Sequence, residues 1–245
     1  MMMISSTKTV RELALEMPGA TEVFEKIGID YCCGGAQSLS EACVKVGKPI
    51  EQVLPMLEEI VSKSDTKEEK IDWRVRRLAK LTHYIVNKHH AFTRRELGRL
   101  SLLIAKVCSA HSARHPELVL IQSLFQSLEH DLLPHMHKEE QILFPYIERM
   151  EEAIRRSERM PTAFFGTVRS PIRMMMLEHD NAGELLRAIR DASKDFKVPE
   201  DGCASYELLY EGLKEFEHDL HQHIHLENNI LFPRAIEMED RDWVG

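Results

Sequence analysis

Glu129 to Pro145 reads EHDLLPHMHKEEQILFP, and Glu217 to Pro233 reads EHDLHQHIHLENNILFP. The two stretches are one internal repeat, and each copy carries His, three residues, then Glu: His135 with Glu139, and His223 with Glu227. On an α-helix that spacing stacks imidazole and carboxylate on one face, roughly 40° apart around the axis. Two such helices facing each other offer two His and two Glu to one cavity. Nitrogen and oxygen donors of this kind suit a pair of first-row metal ions, with carboxylates able to bridge them.

Around the repeat, four long amphipathic stretches are predicted at roughly 72–109, 117–158, 170–194 and 203–239. They are separated by His115-Pro116, by Pro161 with Gly166 and Pro171, and by Pro199 with Gly202. Few segments alternate as strands do. The fold class is therefore all-α, an antiparallel four-helix bundle with a two-fold relation between its helix pairs. A polar, charged run at 63–71 reads as a linker between a small helical domain (1–62) and the bundle (72–245). In the small domain Thr9 with Glu12, and Ser38 with Glu41, have capping-box spacing before apolar periodic runs. Pro145 and Pro233 should kink or end their helices at matching places, and Pro134, which has Gln222 as its counterpart, should disturb the helix just before His135.

The other two bundle helices must complete the cation shell. His90, in NKHHAFTRREL, and His179, in EHDNAGELL, are the candidates, giving the set His90, His135, Glu139, His179, His223 and Glu227. His83 and His89 are the alternatives if the register differs. His137 and His225, about 200° around the helix from their neighbouring ligands, are expected to face outward. Asp131 and Asp219, one turn before the repeat histidines, read either as carboxylates that hold imidazoles or as a solvated acidic face. Glu178, beside His179, reads the same way. The ligand set favours paired iron over zinc, which prefers closed tetrahedral sites, and leaves manganese open.

Over 245 residues the formal net charge is −8, which argues against nucleic acid as a partner. No stretch approaches a membrane span, and no signal-peptide core is present at the N-terminus, so a cytoplasmic location is expected. Five cysteines form neither an even disulfide set nor zinc knuckles. Cys32 and Cys33, followed by two glycines, read as redox or transfer thiols able to exchange disulfides, bind iron or receive a nitrosyl group. Cys43, Cys108 and Cys203 read as structural.

Taken together, Ile29-Asp30-Tyr31-Cys32-Cys33-Gly34-Gly35, Asp72-Trp73, HMHKEEQILFP, EHDNAGELL and HIHLENNILFP resemble the repair of iron centres family, also called the YtfE/ScdA family. The resemblance spans essentially the whole chain. It implies a hemerythrin-like four-helix bundle holding two iron ions, bridged by oxo or hydroxo and carboxylate groups, on the same six residues. It implies Asp131 and Glu178 as acidic groups along a solvent route. The implied role is repair of iron-sulfur clusters damaged by nitrosative or oxidative stress, by iron release or nitric oxide processing. The implied partners are damaged iron-sulfur proteins, nitric oxide or dioxygen as small ligand, and an unidentified reductant, with a homodimer among the options. The alternative is a hemerythrin-like dioxygen or nitric oxide binding or sensing module without turnover.

Overall fold

The computed structural model describes residues 4–17, 19–63 and 71–242, so most of the expected linker lies outside the described residues. Four short helices come first: α1 Val10–Glu16, α2 Ala20–Ile27, α3 Leu39–Lys45 and α4 Ile50–Lys63. Both expected capping boxes form. Thr9 and Glu12, then Ser38 and Glu41, satisfy each other's backbone N–H groups, each cap worth about 1 kcal/mol. The two caps also pair with each other through an isolated antiparallel bridge between Thr9 and Ser38. Val10, Leu13, Phe24, Tyr31, Leu39, Val53 and Leu57 close a core of their own beneath these helices.

Four bundle helices follow. The first comprises α5 Leu78–Tyr84, a π-helical turn Ile85–His90 and α6 Ala91–His111. The second comprises α7 Glu117–Lys138, a π turn Glu139–Leu143 and α8 Phe144–Arg156. The third is α9 Arg169–Ala192, uninterrupted. The fourth comprises α10 Ala204–Leu226, a π turn Glu227–Leu231 and α11 Phe232–Asp242. Each helix packs on its sequence neighbour and the fourth returns to the first, which closes an antiparallel bundle. Among the described residues no extended strand forms, as the all-α reading requires.

Two-fold symmetry extends beyond the repeat. Glu151 accepts from the backbone N–H groups of Leu78 and Ala79 at 2.7 and 3.1 Å, capping the first helix from the second. Eighty-eight residues later Glu239 accepts from Val168 N–H at 2.9 Å, capping the third helix from the fourth. Neither N-cap residue, Arg77 or Val168, supplies a side-chain cap, so acids from the neighbouring helix satisfy these N–H groups, joined at the third helix by Thr167 Oγ1, which accepts from Arg169 N–H at 3.3 Å.

Pro134 does not break its helix. The α-helix runs through it to Lys138, and packing of Leu128, Leu132 and Met136 on either side outweighs one absent hydrogen bond. Pro145 and Pro233 act as expected, though through the π turns. Phe144 N–H reaches back five residues to Glu139 O, and Phe232 N–H likewise to Glu227 O. A proline next in line has no N–H, so shifting the ladder there leaves one donor fewer to re-pair.

Candidate metal centre

The bundle core divides into two apolar clusters, one around Leu97, Phe125 and Phe216, the other around Leu81, Ile147 and Phe232. Two polar quartets are buried in the same bundle: His90, Glu139, His223 and Glu227, and His135, Glu139, His179 and Glu227. In each quartet the donor atoms lie within 4.8 Å of one another. All six sequence-predicted residues are thus brought together, and both carboxylates stand in both quartets. Their side chains are 0% exposed.

The geometry repeats about the two-fold. His90 Nε2 faces His223 Nε2 at 3.1 Å, and His179 Nε2 faces His135 Nε2 at 3.1 Å. Glu139 Oε2 lies 3.3 Å from His90 Nε2 and 3.4 Å from His135 Nε2. Glu227 reaches His223 Nε2 at 3.0 Å and His179 Nε2 at 3.1 Å. Phe144 stacks on His90 and its repeat partner Phe232 on His179, fixing the ring planes. The three π turns end at His90 or begin at Glu139 and Glu227, so the dislocated ladder occurs where these side chains turn inward.

Three of the four imidazoles are oriented from outside the pocket. Glu140 accepts from His90 Nδ1 at 2.6 Å, Glu178 from His135 Nδ1 at 2.7 Å, and Asn228 Oδ1 lies 2.8 Å from His179 Nδ1. A carboxylate can only accept, so Nδ1 carries a proton in His90 and His135, and Nε2 is the nitrogen turned inward, to hold a second proton or a cation. Facing lone pairs at 3.1 Å repel unless a proton or a cation lies between them. Both oxygens of Glu139, Oε2 of Glu227 and Nδ1 of His223 are buried without a hydrogen-bond partner. Two donors each roughly 2.1 Å from one ion and at right angles to each other are about 3.0 Å apart, close to the separations seen. The residues present therefore fit a pair of cations.

Electrostatics point the same way. Burial pushes the His135 imidazole down, but Glu139, Glu178 and Glu227 outweigh it and carry it up to about 10. Burial pushes the Glu139 carboxyl up, but His135 and His90 hold it well below the usual carboxylate range. Burial and Glu139 push Glu227 up, and His223 and His179 bring it down to about 2. The pocket is strongly attractive to positive charge, and protons compete there with a metal.

The other candidates read from the sequence fall elsewhere. His83 is 70% exposed and remote in role. His89 is buried but turned aside, bonded to Asp219 at 3.0 Å and stacked on His223. Asp131 accepts from Asn181 at 2.8 Å and Asp219 from His89, so neither repeat aspartate holds the histidine one turn on. Glu178 does hold a ligand-set histidine, and Lys138 pairs with it. His137 faces outward as expected, whereas His225 is 6% exposed. The N-terminal helices cover that side of the fourth helix: Asn229 donates to His225 Nδ1 at 2.8 Å, and burial with the charge of Arg11 lowers the imidazole to about 4. Glu140 and Asn228 were not singled out from sequence. Both follow directly on a repeat glutamate, which is the signal that could have found them.

Cys32 and Cys33 lie against the third helix. Their sulfurs are 3.9 Å apart as free thiols, and Cys33 Sγ lies 3.6 Å from the carbonyl of His179. Asp30 Oδ1 gathers both backbone N–H groups and the Cys32 thiol, and Asp30, Cys32 and Cys33 form a third group with cation-holding spacing. The bond with Cys33, burial and the charge of Asp30 hold the Cys32 thiol well above its usual range, so Cys32 stays protonated. Gly34 and Gly35 serve the loop's own backbone: a Cβ on either would meet the Asp30 or Tyr31 carbonyl at 3.0 Å. Cys43 and Cys108 are buried, but Cys203 is exposed, 3.2 Å from His111 Nε2.

Fold and pocket together define a cation-binding four-helix bundle with histidine-rich, carboxylate-sharing sites. Residues 81–235 match the family model of the hemerythrin HHE cation binding domain, and residues 6–61 match ScdA_N, described as a domain of unknown function. The chain is 35% identical over 225 residues to the iron-sulfur cluster repair protein YtfE of Citrobacter koseri, covering 92% of this chain and 94% of that one. It is 36% identical to YtfE of Escherichia coli O157:H7 with the same coverage. To YtfE of Pectobacterium atrosepticum it is 34% identical over 233 residues, covering 95% and 98%. The chain belongs to the YtfE family of hemerythrin-type proteins.

Proposed function

We propose that the two quartets hold two iron ions bridged through Glu139 and Glu227, and that the chain repairs iron-sulfur clusters damaged by nitrosative or oxidative stress. The observation that carries this reading is the pair of buried quartets sharing two carboxylates, with both oxygens of Glu139 and Oε2 of Glu227 left without a hydrogen-bond partner, and with Cys33 packed against the His179 carbonyl. The relatives' name, iron-sulfur cluster repair protein, supports it. So do the ScdA_N match over 6–61 and the hemerythrin match over 81–235, which fall within the expected domains at 1–62 and 72–245 on either side of a 63–71 linker.

When bound, a pair of irons supplies one-electron chemistry, positions for nitric oxide or dioxygen, and a store of exchangeable metal. The chain's own residues set the conditions. Glu140, Glu178 and Asn228 fix the His90, His135 and His179 rings with Nε2 turned inward. All six pocket residues are buried, out of reach of bulk solvent. Glu178, whose side chain is 30% exposed, touches both solvent and His135 and can carry a proton between them. Asp131 bonds instead to Asn181, on the exposed side of the third helix. Cys33 is the accessible thiol of the pair and the one suited to receive iron or a nitrosyl group; Cys32 is its protonated neighbour. Damaged iron-sulfur proteins are the clients, with an external reductant. No helix of the described residues is long and apolar enough to cross a membrane, in keeping with a cytoplasmic place of action.

The test is recovery of a nitrosylated iron-sulfur enzyme on addition of the iron-loaded chain. Wild type restores activity, and Cys32→Ser with Cys33→Ser keeps its iron but does not. Restoration by an iron-free Glu139→Ala, Glu227→Ala chain would overturn the metal reading. Restoration by the double cysteine variant would remove the thiols from it.

A further inference from the structure

Resting on that reading, we infer that Asn228 is a positioning residue through which the Cys32–Cys33 loop sets the tautomer of a cation-facing imidazole, so that loop and pocket respond to each other. A backbone carbonyl can only accept. The Cys32 carbonyl lies 3.3 Å from Asn228 Nδ2, so the amide NH2 faces the loop and the amide oxygen faces His179 Nδ1 at 2.8 Å. An oxygen acceptor at that distance requires Nδ1–H. His179 Nε2 is thereby the nitrogen left to face the pocket, 3.1 Å from both Glu227 Oε2 and His135 Nε2, where its lone pair is free for a cation. Turning the amide over would set oxygen against carbonyl. All of Cys32, Asn228 and His179 are buried, so solvent cannot repair that mismatch.

The contact is clamped on both sides of the amide. Asn229 donates to the Tyr31 carbonyl at 2.9 Å, Arg11 donates to the Asn228 carbonyl, and Cys33 Sγ meets the His179 carbonyl. Glu227, Asn228 and Asn229 are consecutive in one π turn, so the segment that holds a shared carboxylate also holds the loop. Displacement of either His179 or Glu227 moves the groups on which Tyr31 and Cys32 rest.

Comparison with the first repeat isolates what the amide adds. Glu140 stands where Asn228 does, and fixes His90 with Arg94 as its second partner at 2.8 Å. A carboxylate suffices to fix a tautomer but cannot donate to a carbonyl. An amide does both, and the loop docks only on the repeat that carries one.

The test is thiol labelling of the full chain, metal-free and loaded anaerobically with ferrous iron. Asn228→Asp keeps the acceptor toward His179 and loses the donor toward Cys32; Asn228→Ala loses both. In wild type, iron should slow labelling of the Cys32–Cys33 pair by about fivefold, as ordering of the π turn suppresses local opening of the loop. Asn228→Asp should still bind iron to the wild-type stoichiometry while this difference disappears. Asn228→Ala should lose the difference and also bind iron about 10-fold more weakly, which answers the question should the Asp variant fold poorly. A wild-type difference persisting in Asn228→Asp or Asn228→Ala overturns the inference. Iron-loaded wild type showing no difference overturns it while leaving the metal reading intact; wild type that takes up no iron defeats both.

Discussion

The two copies of the repeat share every residue that lends a donor atom to the pocket and differ only outside that set. Over the 17 aligned residues they differ at six positions, 133/221, 134/222, 136/224, 138/226, 140/228 and 141/229. In the second copy four of these six bond to the N-terminal segment: His221 to Glu25 at 2.8 Å, Gln222 to Tyr31 Oη at 2.8 Å, Asn228 to the Cys32 carbonyl and Asn229 to the Tyr31 carbonyl. The matching face of the first copy, with Leu133 and Ile142, is exposed. Symmetry thus builds the cation pocket, and departures from symmetry dock the cysteine loop on one side of it.

The largest effect should come from the positions that both copies share. Glu139 and Glu227 each stand in both quartets, so Glu139→Ala or Glu227→Ala alone should drop metal content from about two ions per chain to nearly none, whereas His90→Ala, in one quartet only, should leave about one. Elemental analysis distinguishes these; one ion retained in either glutamate variant would show that the carboxylates do not bridge. Next, Asn228→Glu brings the first copy's residue into the second. It leaves the Cys32 carbonyl buried without a donor and should cost about 1–3 kcal/mol, a fall of roughly 2–10 °C in thermal midpoint for a chain of this size.

A smaller effect concerns pH. Glu25 lies below its ordinary 4.5 because His221 and Tyr31 outweigh the upward push of burial, and His221 lies above 6.5 because Glu25 outweighs the downward push of burial. The carboxylate's contribution is present above pH 4.5 and lost as pH falls through its lowered value. The imidazole's is complete below 6.5 and lost as pH rises through its raised value. Denaturant titrations should therefore show the stability gap between wild type and Glu25→Gln widest between pH 4.5 and 6.5, at about 1–2 kcal/mol, and narrowing on both sides. A gap independent of pH would mean that the pair is not charged. Smallest of all, Gln222→Ala removes one neutral bond to Tyr31 and should cost about 0.5–1 kcal/mol.

Much of this was legible because the repeat carries both its periodicity and its ligands. Apolar spacing and proline punctuation placed all four bundle helices within a few residues, apart from the first, whose helical ladder starts at Leu78 rather than near residue 72. The six pocket residues followed from His-x-x-x-Glu and one histidine on each remaining helix. What was not legible depends on contacts between distant segments. His225 sits on the outward face that helical geometry assigns, yet the N-terminal helices bury it. The π turns are a property of the hydrogen-bond ladder, signalled in sequence only by Pro145 and Pro233. Asn228 acquires its meaning from a carbonyl 196 residues away.

The most direct test of the central claim is iron content with Mössbauer spectra of the anaerobically loaded wild-type chain. The shared carboxylates predict about two irons per chain, magnetically coupled and lost together in Glu227→Ala. One iron, two uncoupled irons, or iron that survives that substitution would contradict a centre built on Glu139 and Glu227.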